Sequence, residues 1–273
     1  MRSTNLFFWS LFLLAAVSAS FTASGQEAHQ FPLKLRVGTY NVGHFNQGSL
    51  GGFQESGVKA QAELNNWRTW IGEQSLDIFV VNEWNKYFSK DSSSIASQEL
   101  LEPFYAHIYF GKQNKWIYNG IATNFELDHI RQVDWEGDYY AVIGELKVGD
   151  KIVHVISTHI PWQKQWHDKS MQELIAQLKQ YEYFICMGDM NAFDKSQELF
   201  LQAGFNMANG GYLGWFPTAS GRISASGYGG KTDDNIDNIV TSKNIKIMRV
   251  SAPKTGLNDL DHRPILADLV ITR

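Results

Sequence analysis

The stretch "LKLRVGTYNV" (33–42) alternates apolar and polar positions and then becomes apolar. "LDIFVV" (76–81) is apolar almost throughout. Similar runs follow in "NGIATNFEL", "YYAVIGELKV", "KIVHVIST", "YFICMGD", "NIDNIVTS", "IKIMRVSA" and "RPILADLVI". They are rich in Val, Ile, Tyr and Phe, and Gly, Asn, Asp or Lys turns bound them, so each predicts a strand. Two other stretches carry a helical period. In "VKAQAELNNWRTWIGEQ", Leu64, Trp67 and Ile71 share one face, and Met171, Leu174, Ile175, Leu178 and Tyr181 form a second stripe. A weaker helix is expected over Ser196 to Ala203. Glycines crowd the stretch between Asn209 and Lys231 and predict a long loop. Two sheets packed face to face with helices outside satisfy this order, and so do other α+β arrangements.

The chain has 273 residues, of which 44% are hydrophobic, enough for a sizeable core. Its net charge of −4 gives no overall basic excess, which argues against sequence-independent wrapping of nucleic acid. Arg2, the apolar run Leu6 to Val17 and the small residues "SASFTASG" read as a secretory signal peptide over residues 1–25, with cleavage after Gly25 expected and Ala19 as second choice. One domain is expected beyond it, to Arg273. The protein would then be secreted or periplasmic. A single cysteine, Cys186, sits inside an apolar strand, so no intrachain disulfide can form. It reads as a small buried hydrophobe.

Chemistry enters at the strand margins. "YFICMG" runs apolar and then ends in Asp189, with Asn191 two residues on. Asn41, Glu83 and His159 close other strands, Asp237 lies within "NIDNIV", and Asp261 and His262 precede the last strand. Carboxylate and amide oxygens with few sulfur or clustered histidine ligands suit a hard ion such as Mg²⁺ better than Zn²⁺. Such an ion commonly shares its shell with substrate phosphate, which points to phosphoester hydrolysis.

Seven short stretches then stand in one order: "TYNV", "VVNEW", "NGIATN", "STHIPW", "GDMNAF", "NIDNIV" and "LDHRPI". In these the chain resembles the endonuclease/exonuclease/phosphatase superfamily over nearly all of its length beyond the leader. The resemblance implies an α/β four-layer sandwich, two packed mixed sheets flanked by helices, with the site at one edge and Mg²⁺ as cofactor (Mn²⁺ or Ca²⁺ as substitutes). It implies metal roles for Glu83, Asn41 and Asp261. Asp189 would orient or deprotonate the attacking water, and Asn191 and His159 would hold phosphate oxygens. His262, paired with Asp237, would contact phosphate or act as acid/base. Two departures stand out: "NEW" where many relatives carry Gln before Glu, and "LDH" where Ser-Asp-His is commoner.

Substrate is less legible. Trp162, Asn124 and Arg222 are candidates for substrate contact. Trp84, Trp166, Trp215 and Phe216 either stack on a ligand or pack the sandwich edge. Lys164, Lys231, Lys254 and Arg263 either steer an anion or face water. A monomer acting on nucleic acid is the leading expectation, with phospholipid or a small phosphate ester as alternatives. A glycan-binding module with an inactive site is the reading from another class.

Overall fold

The computed structural model describes residues 29–45, 52–192, 194–220, 233–257 and 260–273. The leader expected over residues 1–25, Arg222 and Lys231 lie outside them. In chain order the elements are β1 (Leu33–Asn41), α1 (Gly57–Gln74), β2 (Ile78–Asn82), α2 (Ala96–Leu100), β3 (His107–Phe110), β4 (Gly120–Thr123), β5 (Asp128–Asp134), β6 (Tyr140–Val148), β7 (Lys151–His159), α3 (Lys164–Leu178), β8 (Tyr183–Asp189), α4 (Asp194–Gln202), β9 (Asn206–Met207), β10 (Ala219–Ser220), β11 (Asp233–Asp234), β12 (Asp237–Thr241), β13 (Ile245–Ser251) and β14 (Ile265–Ile271).

Two six-stranded sheets face each other, ordered β13-β14-β1-β2-β4-β3 and β5-β6-β7-β8-β12-β9. Each has one parallel pair at its centre, β1 with β2 and β7 with β8. A parallel pair needs a crossover, and α1 and α3 supply it. Each sheet therefore contains one β-α-β unit.

Side-chain alternation explains how β2 packs on both faces. Ile78 and Val80 join the core between the sheets, with Val37, Val155, Ile185 and Leu269. Phe79 and Val81 join a second core under α1, with Tyr40, Trp67, Trp70 and Ile71. Trp84 is also in this second core, 1% exposed, so it packs rather than stacks on a ligand. On α3, Met171, Leu174 and Leu178 cover the other sheet. This is the expected α/β sandwich. Among the described residues, no helix is long and apolar enough to cross a membrane.

The strand expected over "NGIATNFEL" ends at Thr123, and Asp128–Asp134 then forms a separate edge strand. That strand is largely exposed and polar, so it carried no hydrophobic signal. The short β3 reads His-Ile-Tyr-Phe and is half-buried at every position; four residues are too few to set a period.

Cys186 is fully buried, and burial pushes its thiol pKa up. Cys186→Ser should leave turnover unchanged and cost about 1–3 kcal/mol in denaturant melts, the range for an unpaired buried polar group. A second prediction concerns His154 on β7. Its ring stacks on Tyr181 at 3.7 Å, and its Nε2 lies 3.6 Å from Glu145. Burial lowers its pKa against the opposing pull of the Tyr183 carbonyl and Glu145, with Arg131 assisting the decrease. The fold thus favours the neutral ring. Its contribution is present above the unfolded pKa of about 6.5 and lost as pH falls. His154→Gln should therefore reduce the drop in Tm between about pH 7 and about pH 5, read by calorimetry.

Candidate active site

The carboxyl ends of the two parallel pairs meet at one edge of the sandwich. β1 and β2 bring Asn41 and Glu83 there, and β7 and β8 bring His159 and Asp189. Asn82 joins the halves. By alternation its side chain follows Ile78 and Val80 inward, where it is fully buried. Its Nδ2 donates to the Thr158 carbonyl at 3.0 Å, and its Oδ1 accepts from the Asp189 N–H at 3.0 Å. One amide thus bonds both strands of the facing pair. Gly188 permits the approach: it has φ +148°, and a Cβ there would lie 1.8 Å from the Thr158 oxygen. The strand ends in "GD" because only glycine fits beside the aspartate at this junction.

Glu83 follows Asn82 in a left-handed conformation, φ 49°, and Asn191 has φ 45°. Asparagine adopts such backbone readily, whereas for glutamate it is costly and marks functional sites. Asn41 Nδ2 donates to Glu83 Oε1 at 3.1 Å and to Asp189 Oδ2 at 3.0 Å, tying the two carboxylates together. Its Oδ1 accepts from Gly43 N–H at 3.0 Å, which fixes the amide orientation. Asn41 thus turns its donor, not its oxygen, toward the acidic pair.

His159 is 1% exposed. Its Nε2 lies 3.4 Å from Asp189 Oδ2, 3.2 Å from Asn191 Nδ2 and 4.0 Å from Glu83 Oε1. Asn191 also donates to the Ile160 carbonyl, and its backbone N–H caps Asp189 Oδ1 at 2.8 Å. His262 Nδ1 bonds Asp237 Oδ2 at 2.8 Å, and its Nε2 points to Asp189 Oδ2 at 3.7 Å. Asp261 stands at the rim, its Oδ1 3.5 Å from the position a Cβ on Gly43 would occupy.

The electrostatics are those of a site short of positive charge. Burial pushes Glu83 up to about 7, against the His262 cation and the Asn41 donor. Asp189 is also raised, by burial first and then by Asp237. Burial holds His159 near 3, aided by His262 and His44, so its ring is neutral. Burial opposes charge on His262 too, but Asp237 and then Asp189 and Asp261 outweigh it and keep the imidazolium. A divalent cation fits this donor set. Glu83, His159 and Asp189 each offer an atom within 4.8 Å of the others, and Asp189, Asp237 and His262 form a second such group. The donors are mostly hard oxygens, and a cation would relieve the crowded acids.

A cavity of about 530 Å³ opens over these groups. Trp162 lines it and is 67% exposed. Asn124 does not reach it. It follows the far end of β4, where its Oδ1 accepts from Ala106 N–H. The asparagine of that stretch at the site end of the strand is Asn119, fully buried and bonded to Tyr140.

The structure adds residues that the sequence reading missed. Lys115 and Trp116 form one wall of the cavity, and Tyr139 sets its ring edge-on to His159 at 4.9 Å. The only signal for the first two was a cation beside an aromatic in the polar stretch "KQNKWIYN". Asn82 left a clearer trace, as a polar residue on the inward parity of an apolar strand.

Asn82→Ala should cost about 1–3 kcal/mol for each buried backbone group left unpaired, and turnover should fall with it. Urea melts and steady-state kinetics on the same preparation check both. Gly188→Ala should be worse, since backbone must move to admit the methyl group.

Solved structures with this architecture include an endonuclease/exonuclease/phosphatase from Bacteroides vulgatus (17% identity, TM-score 0.61, covering 87% of this chain and 98% of that one). D. rerio TDP2 complexed with a single-strand DNA product matches at 10% identity and TM-score 0.62, over 86% and 98%. ANGEL2, a 2',3'-cyclic phosphatase in complex with adenosine-2',3'-vanadate, matches at 12% and 0.64, over 89% and 97%. No curated protein matches by sequence. The sequence profile of the Endonuclease/Exonuclease/phosphatase family matches residues 38–262, from the first site strand to His262. That span contains every group gathered at the sandwich edge, and the chain belongs to this family of phosphoester hydrolases.

Proposed function

We propose that the protein is an exported, divalent-metal-dependent phosphodiesterase with nucleic acid as its leading substrate. The observation that carries this reading is the meeting of Glu83, Asp189 and His159 within 4.8 Å beside the Asp237–His262 pair. Export rests on the apolar leader after Arg2. The nucleic-acid reading rests on exposed Trp116 and Trp162 and on Lys115 around the cavity, where a base can stack while its phosphate meets the acidic edge. The DNA product named for TDP2 and the adenosine ligand named for ANGEL2 agree with it. We take the chain to act as a monomer.

Glu83 and Asp189 would hold the divalent cation. When bound it supplies positive charge to the phosphate oxygens and relieves the acidic cluster. The remaining work falls to the chain. Asp189, held by Asn41 and the Asn191 N–H, orients the attacking water and accepts its proton. The water oxygen bonds to phosphorus as the ester oxygen departs. Negative charge grows on the equatorial oxygens, where the His262 imidazolium donates from Nε2. Asp237 fixes that ring through Nδ1. Asn191 and His159 meet the same phosphate face.

The test is nicking of supercoiled plasmid by protein beginning at Gln26, with Mg²⁺ and with EDTA. Nicking should require the metal, and Asp189→Ala should lower the rate by about 10²–10⁴. If intact plasmid persists while a chromogenic phosphodiester is cleaved, the substrate is a phospholipid or a small phosphate ester. If no phosphoester is cleaved, the inactive glycan-binding module becomes the reading.

A further inference from the structure

His44 belongs to no stretch that marks the family, yet it is one of the most constrained residues at the site. Gly43, His44 and Phe45 have φ of 49°, 55° and 66°, three left-handed residues in succession. Only the first is glycine, so the surroundings must hold the other two in place. Phe45 is wedged edge-on against Trp67 at 5.3 Å and Trp84 at 4.7 Å, and its N–H bonds the Val42 carbonyl. His44 N–H donates at 2.7 Å to the carbonyl of Glu83 itself. Two strained residues, His44 and Glu83, are thereby fastened to each other through the backbone.

The ring is equally fixed. It is 2% exposed, and its Nδ1 lies 3.2 Å from the Trp84 carbonyl. A carbonyl only accepts, so Nδ1 carries the proton and Nε2 presents a bare lone pair. The Trp116 backbone also makes a hydrogen-bond contact to the ring, and among the described residues no partner stands in hydrogen-bond geometry with Nε2. Nε2 faces Glu83 Oε2 at 3.6 Å. That is too long for a hydrogen bond, and two acceptors do not attract. A cation between them resolves the arrangement, since ligand atoms about 2.1 Å from one ion stand about 3 to 4 Å apart. One imidazole nitrogen on a backbone carbonyl and the other free is the usual state of a metal-binding histidine.

We propose that His44 Nε2 is a ligand of the cation held by Glu83 Oε2, so that the centre takes a transition-series dication such as Mn²⁺, Fe²⁺ or Co²⁺ in preference to Mg²⁺. The inference rests on the metal-dependent reading above and makes it more specific. Mg²⁺ favours an all-oxygen shell and keeps its waters, whereas imidazole nitrogen strengthens binding along the transition series. Glu83 thus uses its two oxygens differently: Oε1 accepts from Asn41, and Oε2 shares the ion with His44.

Pulsed EPR of the Mn²⁺-loaded protein reads this without turnover. The parent should show coupling to a ring nitrogen, lost in His44→Asn and kept in His159→Asn. Asparagine tolerates the left-handed backbone, so the His44 variant should retain the parent's melting behaviour without metal. By calorimetric titration, Mn²⁺ should bind the parent at least tenfold more tightly than it binds His44→Asn, with Mg²⁺ affinity changed less; outer-shell losses alone reach about 10–100-fold. Coupling that survives in His44→Asn, or Glu83-dependent Mn²⁺ binding with no nitrogen coupling in the parent, overturns the His44 assignment and leaves the phosphodiesterase reading intact. Failure of Glu83→Gln to weaken binding of any dication overturns both. If His44→Asn does not fold, the parent decides alone. With isotope-labelled histidines and Cd²⁺, the metal must couple to the Nε2 of a ring whose Nδ1 keeps its proton, and its absence overturns the assignment.

Discussion

The site depends on one buried amide. Asn82 leaves one sheet and bonds the ends of two strands in the other, a carbonyl through Nδ2 and an N–H through Oδ1. A backbone polar group buried without a partner costs about 1–3 kcal/mol, so the interface between sheets cannot slide while these bonds hold. The residues after each strand end inherit that position. Glu83 follows Asn82 directly, and Asp189 is the residue whose N–H the amide receives. Gly188 completes the junction by letting Thr158 come close. Hydrophobic packing brings the sheets together over a wide area, and the amide fixes where their acidic ends meet.

On that scaffold the charges are arranged against their own solvation. Glu83, Asp189 and Asp237 converge with His262 as the one imidazolium among them. Asn41 shares its amide hydrogens between two of the carboxylates and lowers their repulsion without adding charge. Such crowding is unfavourable in an isolated fold and useful when a cation and a phosphate arrive together. The left-handed backbone at Glu83 and His44 has the same character: local strain kept in place by surrounding bonds.

Much of this could be read before the structure was seen. The apolar strands located both sheet centres, because buried strands carry long hydrophobic runs. The polar residues that closed them marked Asn41, Glu83, His159 and Asp189, which the fold brings to one edge. What failed to show has physical reasons. The edge strand Asp128–Asp134 faces water and has no apolar period. Asn124 looked equivalent to the other strand-end residues, but β4 runs antiparallel to β2 and carries its last residue to the opposite edge. Lys115, Trp116 and Tyr139 come from loops, where sequence neighbours do not determine which cavity a side chain enters. His44 gave no periodic signal at all. Its position comes from backbone strain and from Glu83, far off in sequence.

Each sheet supplies half of the acidic pair, Glu83 from one and Asp189 from the other. The active site therefore works as a gauge of the sandwich's thickness. Any event that parts the layers by an ångström, such as pressure, an oversized core side chain or slow breathing of the interface, separates the two carboxylates before a single strand unravels. Loops at the mouth can be rebuilt without touching that spacing. Substrate preference and chemical competence are thus free to evolve on separate parts of the molecule.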